Sequence, residues 1–340
     1  MKNVTPIIPV SEPDCQVKSW KNFLKEAVSD PLELLQDLNL KPEDIEYAID
    51  PSNPFKVRVP RPFIEKMRIG DPDDPLLRQV LSLDIENADF EGYSSDPLKE
   101  TNSDTPGLLH KYEGRVLLIL ASACAVNCRY CFRRHFPYQD KVANGDSLKE
   151  SLAYIKNNPT IKEVILSGGD PLIVSDGFLQ SLVDELDTIK HLKRLRIHSR
   201  LPIVIPQRIS RELCNIFNKT RLKSSLVLHI NHGNEIDSAL IKSLNKLTEV
   251  GVQLLNQSVL LKGVNDSVQA LVQLSERLFE AGILPYYVHM LDKVDGAAHF
   301  DISQAKAVAL MNQIREQLPG YLVPRLAVEE PGKGSKTVIT

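Results

Sequence analysis

Three cysteines crowd into eight residues of this 340-residue chain, as Cys124-Ala-Val-Asn-Cys128-Arg-Tyr-Cys131. The chain has five cysteines, and an odd count with three clustered reads as a ligand set rather than a disulfide framework. Soft thiolates at this density select zinc or iron–sulfur. A closed structural zinc needs four tetrahedral ligands, and His135 could supply the fourth, which would make this a zinc-stabilised binding module. Three cysteines alone would hold three irons of a cubane and leave the fourth iron open, a reactive arrangement. Spacing alone leaves both readings standing.

Other residues carry chemistry only in company. Leu166-Ser167-Gly168-Gly169-Asp170-Pro171 has glycines that let backbone approach a bound group, although a plain strand-to-helix turn looks the same. Lys111-Tyr112-Glu113-Gly114-Arg115 offers two cations suited to a phosphate. The stretch from Glu329 to Thr340 is rich in Gly and Lys. It reads as a frayed, solvated tail, or as a loop bringing a lysine amine to an aldehyde cofactor as a Schiff base.

The elements that must position these groups follow from proline usage and periodicity. Thirteen of the 22 prolines precede residue 110, and helices there are short: 20–28, 31–40 with Asp30 as N-cap, and 41–49. Residues 91–108 are polar and turn-rich and mark a boundary. Beyond them, apolar strands at 115–120, 163–166, 194–198, 225–230, 252–259 and 285–290 alternate with helices at 147–156, 178–188, 207–218, 235–250 and 268–281. A helix at 303–317 leads to a seventh strand at 322–328. This rhythm means a parallel sheet covered by helices, and without a Gly-rich dinucleotide turn it favours a full or partial barrel over a Rossmann sheet.

Composition narrows the class. Hydrophobic residues are 42% and charged residues 25%, which excludes disorder and fibrous repeats. No apolar run is long enough to span a bilayer, and the first residues lack a signal-peptide pattern, so a cytoplasmic protein is expected. A net charge of −3 gives no general reason to expect nucleic acid.

The spacing C-x3-C-x2-C, with an aromatic before the last cysteine, resembles the radical S-adenosylmethionine (SAM) enzymes. From about residue 108 onward the sequence resembles the lysine 2,3-aminomutase family within that class. The matching stretches are CAVNCRYCFRR at 124–134, SGGDPL at 167–172, RIHSRLPIVIP at 196–206, HINHGNE at 229–235, LNQSVLLKGVND at 255–266, PYYVHMLD at 285–292 and PGKGSK at 331–336. The resemblance implies a radical SAM-type partial (β/α)6 TIM barrel at 108–322, a mainly helical, proline-rich region at 1–107, and a C-terminal strand and lysine tail at 323–340.

It also implies a [4Fe-4S] cluster on Cys124, Cys128 and Cys131, whose open iron takes S-adenosylmethionine, and pyridoxal 5′-phosphate (PLP) on Lys336; Lys333 is offset from the motif. Arg115 and Lys111 fall at the cofactor phosphate. Ser167, Gly168, Gly169, Asp170, Arg200 and Gln257 fall at S-adenosylmethionine. Arg133 falls at the substrate carboxylate, and Asp292 and Glu329 at the distal ammonium.

CFRRHFPY and LDKVDGAAHF resemble the branch of the family that makes (R)-β-lysine for attachment to elongation factor P by a separate lysyl ligase, with an electron donor such as a flavodoxin or ferredoxin. A stand-alone aminomutase is the alternative. An enzyme isomerising glutamate fits poorly with acidic residues at 292 and 329. A homo-oligomer is compatible with all of these.

Departures from the family pattern are glutamate for aspartate at 329, histidine for tyrosine at 289, and serine at 267 for a zinc-binding cysteine. The last predicts no zinc. Cys15 and Cys214 match no role, and Cys214 reads as a small core residue.

Overall fold

The computed structural model describes residues 19–100, 107–138 and 141–340; Cys15 lies outside them. Among the described residues, three short helices come first: α1 (Trp20–Lys25), α2 (Pro31–Asp37) and α3 (Arg61–Ile64). Asp30 caps α2 as expected, its Oδ1 accepting from Leu32 N at 2.9 Å, with proline in the first helical position. The helix expected at 41–49 is only a 3-10 turn, Pro42–Asp44. Asp44 turns back onto Lys41 N, Ile45 is already extended, and Ile49 pairs with Leu83 instead.

β1 (Leu108–Tyr112) and β2 (Arg115–Ala121) form a hairpin. Its two-residue loop, Glu113-Gly114, needs the positive φ of +74° that Gly114 supplies. The chain then alternates: α4 (Gly145–Asn157), β3 (Glu163–Gly168), α5 (Asp176–Thr188), β4 (Arg194–Ser199), the single turn α6 (Leu201–Val204), α7 (Arg211–Lys219), β5 (Lys223–Leu228), α8 (Ser238–Glu249), β6 (Gln253–Val259), α9 (Val268–Glu280), β7 (Leu284–His289), α10 (Gln304–Gln317) and β8 (Arg325–Val328). Strands β2 to β8 are parallel and pair in chain order. β9 (Thr337–Val338) closes the far edge antiparallel to β8. This is the expected partial (β/α)6 barrel with its seventh strand, open between β1 and β9.

Helix starts follow side-chain caps: Ser175, Ser210, Asp237, Ser267 and Ser303 each accept from a backbone N–H of the first turn. Ser210 explains why α7 begins later than position 207. Ser267, read as a lost metal ligand, is the cap of α9.

The strands divide their residues between two environments. Leu195, Ile197, Leu226, Leu228 and Leu254 join Leu182, Leu186, Leu213, Leu240, Leu244 and Leu247 of the helices in one apolar cluster. The alternate positions Arg196, His198, Gln257 and His289 remain partly exposed and bring polar side chains to the face away from the helices, beside the apolar Ile119, Ile165 and Val227.

The N-terminal region belongs to the same core, since Trp20, Leu34, Phe63, Leu76 and Leu77 share that cluster. Its polar tie is Glu86, which accepts from Arg129 Nε at 2.8 Å and from Arg134 Nη2 at 2.8 Å, with Glu86 and Arg129 fully buried. Glu86→Ala leaves two buried guanidiniums uncompensated and is expected to destabilise the cofactor-free protein by about 3–5 kcal/mol. Guanidinium chloride midpoints check this; a loss below about 1 kcal/mol would show the pair to be solvated.

Candidate active site

The cysteine loop leaves β2 and is held from two sides. From the barrel, Gly169 N donates to Ala121 O at 2.7 Å and Asp170 N to Ala123 O at 2.9 Å. A Cβ at Gly169 would stand 2.4 Å from Ala123 O, and one at Gly168 2.8 Å from Ala121 O. The two glycines thus allow the β3 turn to lie against the cysteine loop. From the N-terminal region, Asn127 N donates to Arg58 O and Arg129 N to Gln79 O. Phe55 O accepts from Arg129 Nη1.

The three cysteines are partly exposed free thiols close enough to perturb one another. Burial pushes Cys124 well up and Cys131 to about 11, and neighbouring thiols add to both. Cationic iron replaces those protons when a cluster assembles. Among the described residues no three His, Cys, Asp or Glu side chains close round a single ion. His135, the fourth ligand of the zinc reading, meets the carbonyl of Asp295 at 3.2 Å instead.

Beside the loop lies a buried polar network. Arg200 donates from Nη1 to Cys128 Sγ at 2.8 Å and Tyr130 Oη at 2.6 Å, and from Nη2 to Gln79 Oε1 at 2.7 Å and Glu235 Oε2 at 3.0 Å. Asn231 donates to both Tyr130 and Gln79. Tyr130 also meets His229 Nε2 at 2.9 Å, and burial, then Arg200, lowers that imidazole to about 3.

Asp170 is wholly engaged in joining β3 to β4. Its carboxylate accepts from Ser199 Oγ and from the backbone N–H of Leu172, Arg200 and Leu201 at 2.7–3.0 Å. Among the described residues, the buried polar atoms without a partner include Gln257 Nε2 and His198 Nε2 on the inner strands, and Arg200 Nε beside them. Burial holds His198 well below its usual range. Orphaned polar atoms on the inner strands fit a polar group that binds there.

The cationic residues meet at Glu100, which is 6% exposed. Glu100 accepts from Lys111 Nζ and from Arg133 Nε, both at 2.7 Å. Arg133 Nη1 lies 3.3 Å from Ser167 Oγ and 3.2 Å from Gly168 O. Burial opposes the Glu100 charge, but the two cations bring it to about 2. Arg115, at the start of β2, stacks over Tyr112 with its guanidinium 4.3 Å from the ring centroid.

The C-terminal segment is an ordered hairpin rather than a frayed tail. Val328 pairs with Thr337, so the next positions outward, Glu329 and Lys336, face each other, and Lys336 Nζ donates to Glu329 at 2.6 Å. Tyr112 Oη donates to the other oxygen. Lys333 is exposed. Asp292 faces the same charges: burial raises it to about 7, Glu329 and Glu100 add to the rise, and Lys336 opposes it. His289 is held well below its usual range by burial and then by Lys336. The structure thus pairs Lys336 with Glu329, joins Arg133 and Lys111 through Glu100, sets Asp292 within the field of both groups, and puts Cys128 beside Arg200.

Residues 118–275 match the Radical SAM superfamily model. An L-lysine 2,3-aminomutase of Haemophilus influenzae is 50% identical, over 98% of both chains. One from Escherichia coli is 50% identical over 94% of both, and one from Clostridium subterminale is 34% identical over 96% of this chain and 79% of its own. The chain belongs to the lysine 2,3-aminomutase family. It is a radical SAM isomerase of the aminomutase type, and this family implies a [4Fe-4S] cluster, S-adenosylmethionine and pyridoxal phosphate.

Several residues of this family member escaped the sequence reading. Glu86, Gln79 and Glu100 lie in segments that look like loop, with no local signal for their distant partners. Asn231 and Glu235 stand in the HINHGNE stretch but carry no chemistry by type alone.

Gly169→Ala is expected to push Ala123 and the cysteine loop aside. Iron bound after anaerobic reconstitution should fall several-fold while the far-ultraviolet circular dichroism stays unchanged. Full iron loading would mean that the loop yields without cost.

Proposed function

We propose that the enzyme converts (S)-α-lysine to (R)-β-lysine, destined for attachment to a lysine of elongation factor P by a separate ligase, in the cytoplasm and with a flavodoxin- or ferredoxin-type electron donor. The observation that supports the substrate class is that one site holds both kinds of charge: the buried guanidinium of Arg133 on Glu100, and the carboxyls of Asp292 and Glu329 beside Lys336. Such a set suits a substrate with a carboxylate and a cationic tail. Branch-like stretches such as CFRRHFPY support the attachment to elongation factor P.

When bound, the cluster, S-adenosylmethionine and pyridoxal phosphate supply the radical chemistry that moves an amino group to a neighbouring carbon whose hydrogen is not acidic. The protein's own work is holding and orienting. Cys124, Cys128 and Cys131 ligate the cluster. Ser167, Gly168, Gly169 and Gln257 line the S-adenosylmethionine site. Asp170 and Arg200, whose side chains are committed to Ser199 and to Tyr130, Gln79 and Glu235, act there by fixing the surrounding backbone and Cys128.

Lys336 is the amine that would hold pyridoxal phosphate through its aldehyde. Its Glu329 partner places the amine and would offer a carboxylate to the substrate's cationic tail. Lys111 and Arg115 bind the phosphate, Arg133 pairs with the substrate carboxylate, and Asp292 meets the distal ammonium. Excluding water from this interior protects reactive species.

Anaerobic reconstitution with iron, sulfide and pyridoxal phosphate tests the reading. Visible absorbance of an iron–sulfur centre is expected, and borohydride should leave a pyridoxyl adduct that disappears in Lys336→Ala. Free lysine should then yield β-lysine under reducing conditions. Turnover of a different amino acid and not lysine would remove the substrate assignment.

The raised Asp292 carboxyl gives a pH signature. It is protonated below about 7 in the ligand-free enzyme, and only its ionised form attracts an ammonium. The KM for lysine should therefore fall as pH rises from 6 to 8, approaching about tenfold per unit below the transition. Asp292→Asn should raise KM and flatten that limb; a wild-type KM independent of pH across this range contradicts the role.

A further inference from the structure

We infer that Glu100 is a positioning residue shared by the substrate-carboxylate and cofactor-phosphate sites, an inference that rests on the assignments of Arg133 and Lys111 above. The two oxygens of one buried carboxylate divide between two cations: Oε1 takes Lys111 Nζ and Oε2 takes Arg133 Nε, each at 2.7 Å. Each cation therefore stands at a fixed distance from the other, with a negative charge between them.

Arg133 is set by four further contacts. Nη1 reaches Ser167 Oγ and Gly168 O, and the guanidinium carbon lies 4.9 Å from the centroid of Phe132 and 5.8 Å from that of Phe136. With Nε on Glu100 and Nη1 on the β3 turn, the guanidinium presents its Nη2 corner to an incoming anion. Lys111 uses one of its three hydrogens on Glu100 and keeps two for a phosphate. Removing the Glu100 charge would leave the buried Arg133 and the more exposed Lys111 side by side with no charge between them. They would repel, and both anion sites would lose their geometry together.

The test compares Glu100→Gln and Glu100→Asp with wild type. Cluster-free protein is titrated with pyridoxal phosphate and, separately, with pyridoxal; reconstituted enzyme is assayed for iron content and for kcat and KM with lysine. Losing a charge-assisted hydrogen bond of this kind costs about tenfold or more in affinity. Glu100→Gln is therefore expected to raise both the pyridoxal phosphate Kd and the lysine KM about tenfold. Pyridoxal affinity, iron content and kcat should stay within about twofold. Glu100→Asp, which keeps the charge on a shorter arm, should fall between wild type and Glu100→Gln in both parameters, and it carries the test alone if Glu100→Gln does not fold.

Unchanged or tighter binding of both ligands would overturn the inference, tighter binding marking Glu100 as a competitor for the anion sites. An effect on one ligand only would also overturn it. Arg133→Lys and Lys111→Met run in parallel. If these leave lysine KM and pyridoxal phosphate Kd unchanged, the assignments fail and the inference with them. If they raise both while Glu100→Gln does not, Glu100 alone is wrongly placed.

Discussion

A charge held away from water has to be met by another charge or by hydrogen bonds, and the interior of this barrel holds many. Arg129, Arg133, Arg200, Glu86, Glu100, Asp170 and Glu235 are all buried. Each finds a partner across the chain rather than nearby: Glu86 lies 43 residues from Arg129, Glu100 33 from Arg133, and Gln79 121 from Arg200. The N-terminal region is therefore part of the site. It contributes Gln79, Glu86 and Glu100, the acceptors that let the cations of the cysteine loop and of β4 be buried at all. A barrel without them would present the same cysteines on a loop with unpaired guanidiniums beneath it.

The same requirement explains why a loop can be a precise ligand scaffold. Residues 124–134 form no regular element, yet their backbone is held by Arg58, Gln79 and the β3 turn. Their arginines are locked into Glu86 and Glu100. Rigidity that a helix would draw from its own ladder is drawn here from side chains outside the loop. Arg200 extends this order to a cysteine sulfur, and hydrogen bonds to such sulfurs are one of the terms that set a cluster's potential.

What could be read from the sequence divides along the range of the interactions. Local signals were legible. Apolar runs located the parallel strands, and Asp30 announced its helix by cap chemistry. The cysteines, SGGDPL and PGKGSK pointed to the site because their residue types are unusual in company. The misread 41–49 segment has helix-forming residues, but its fate is settled by Leu83, a partner 34 positions away from Ile49, which no local pattern records. Glu100 sat in a stretch that looked like a polar boundary, because a glutamate buried between two distant cations has the same letter as one in solvent. The β1 hairpin was missed although Glu113-Gly114 is its turn, the strong parallel signal of β2 having drawn attention past it.

The terminal lysine shows how register can decide between a bland and a chemical reading. Composition made 329–340 a solvated tail. Two residues of pairing, Val328 with Thr337 and Ala327 with Val338, change that. A side chain's partner in an antiparallel pair is set by register, so extending the ladder by one position places Lys336 opposite Glu329. Lys333 belongs to the exposed turn around Gly332, three positions further out, where no strand neighbour faces it. The pairing that fixes β9 to the barrel's last parallel strand thus also selects which lysine points at Glu329 and comes near Asp292. Tyr112, reaching Glu329 from β1 at the opposite edge of the sheet, spans the gap that the incomplete barrel leaves open. Fold closure and placement of the amine are, at this corner, the same set of contacts.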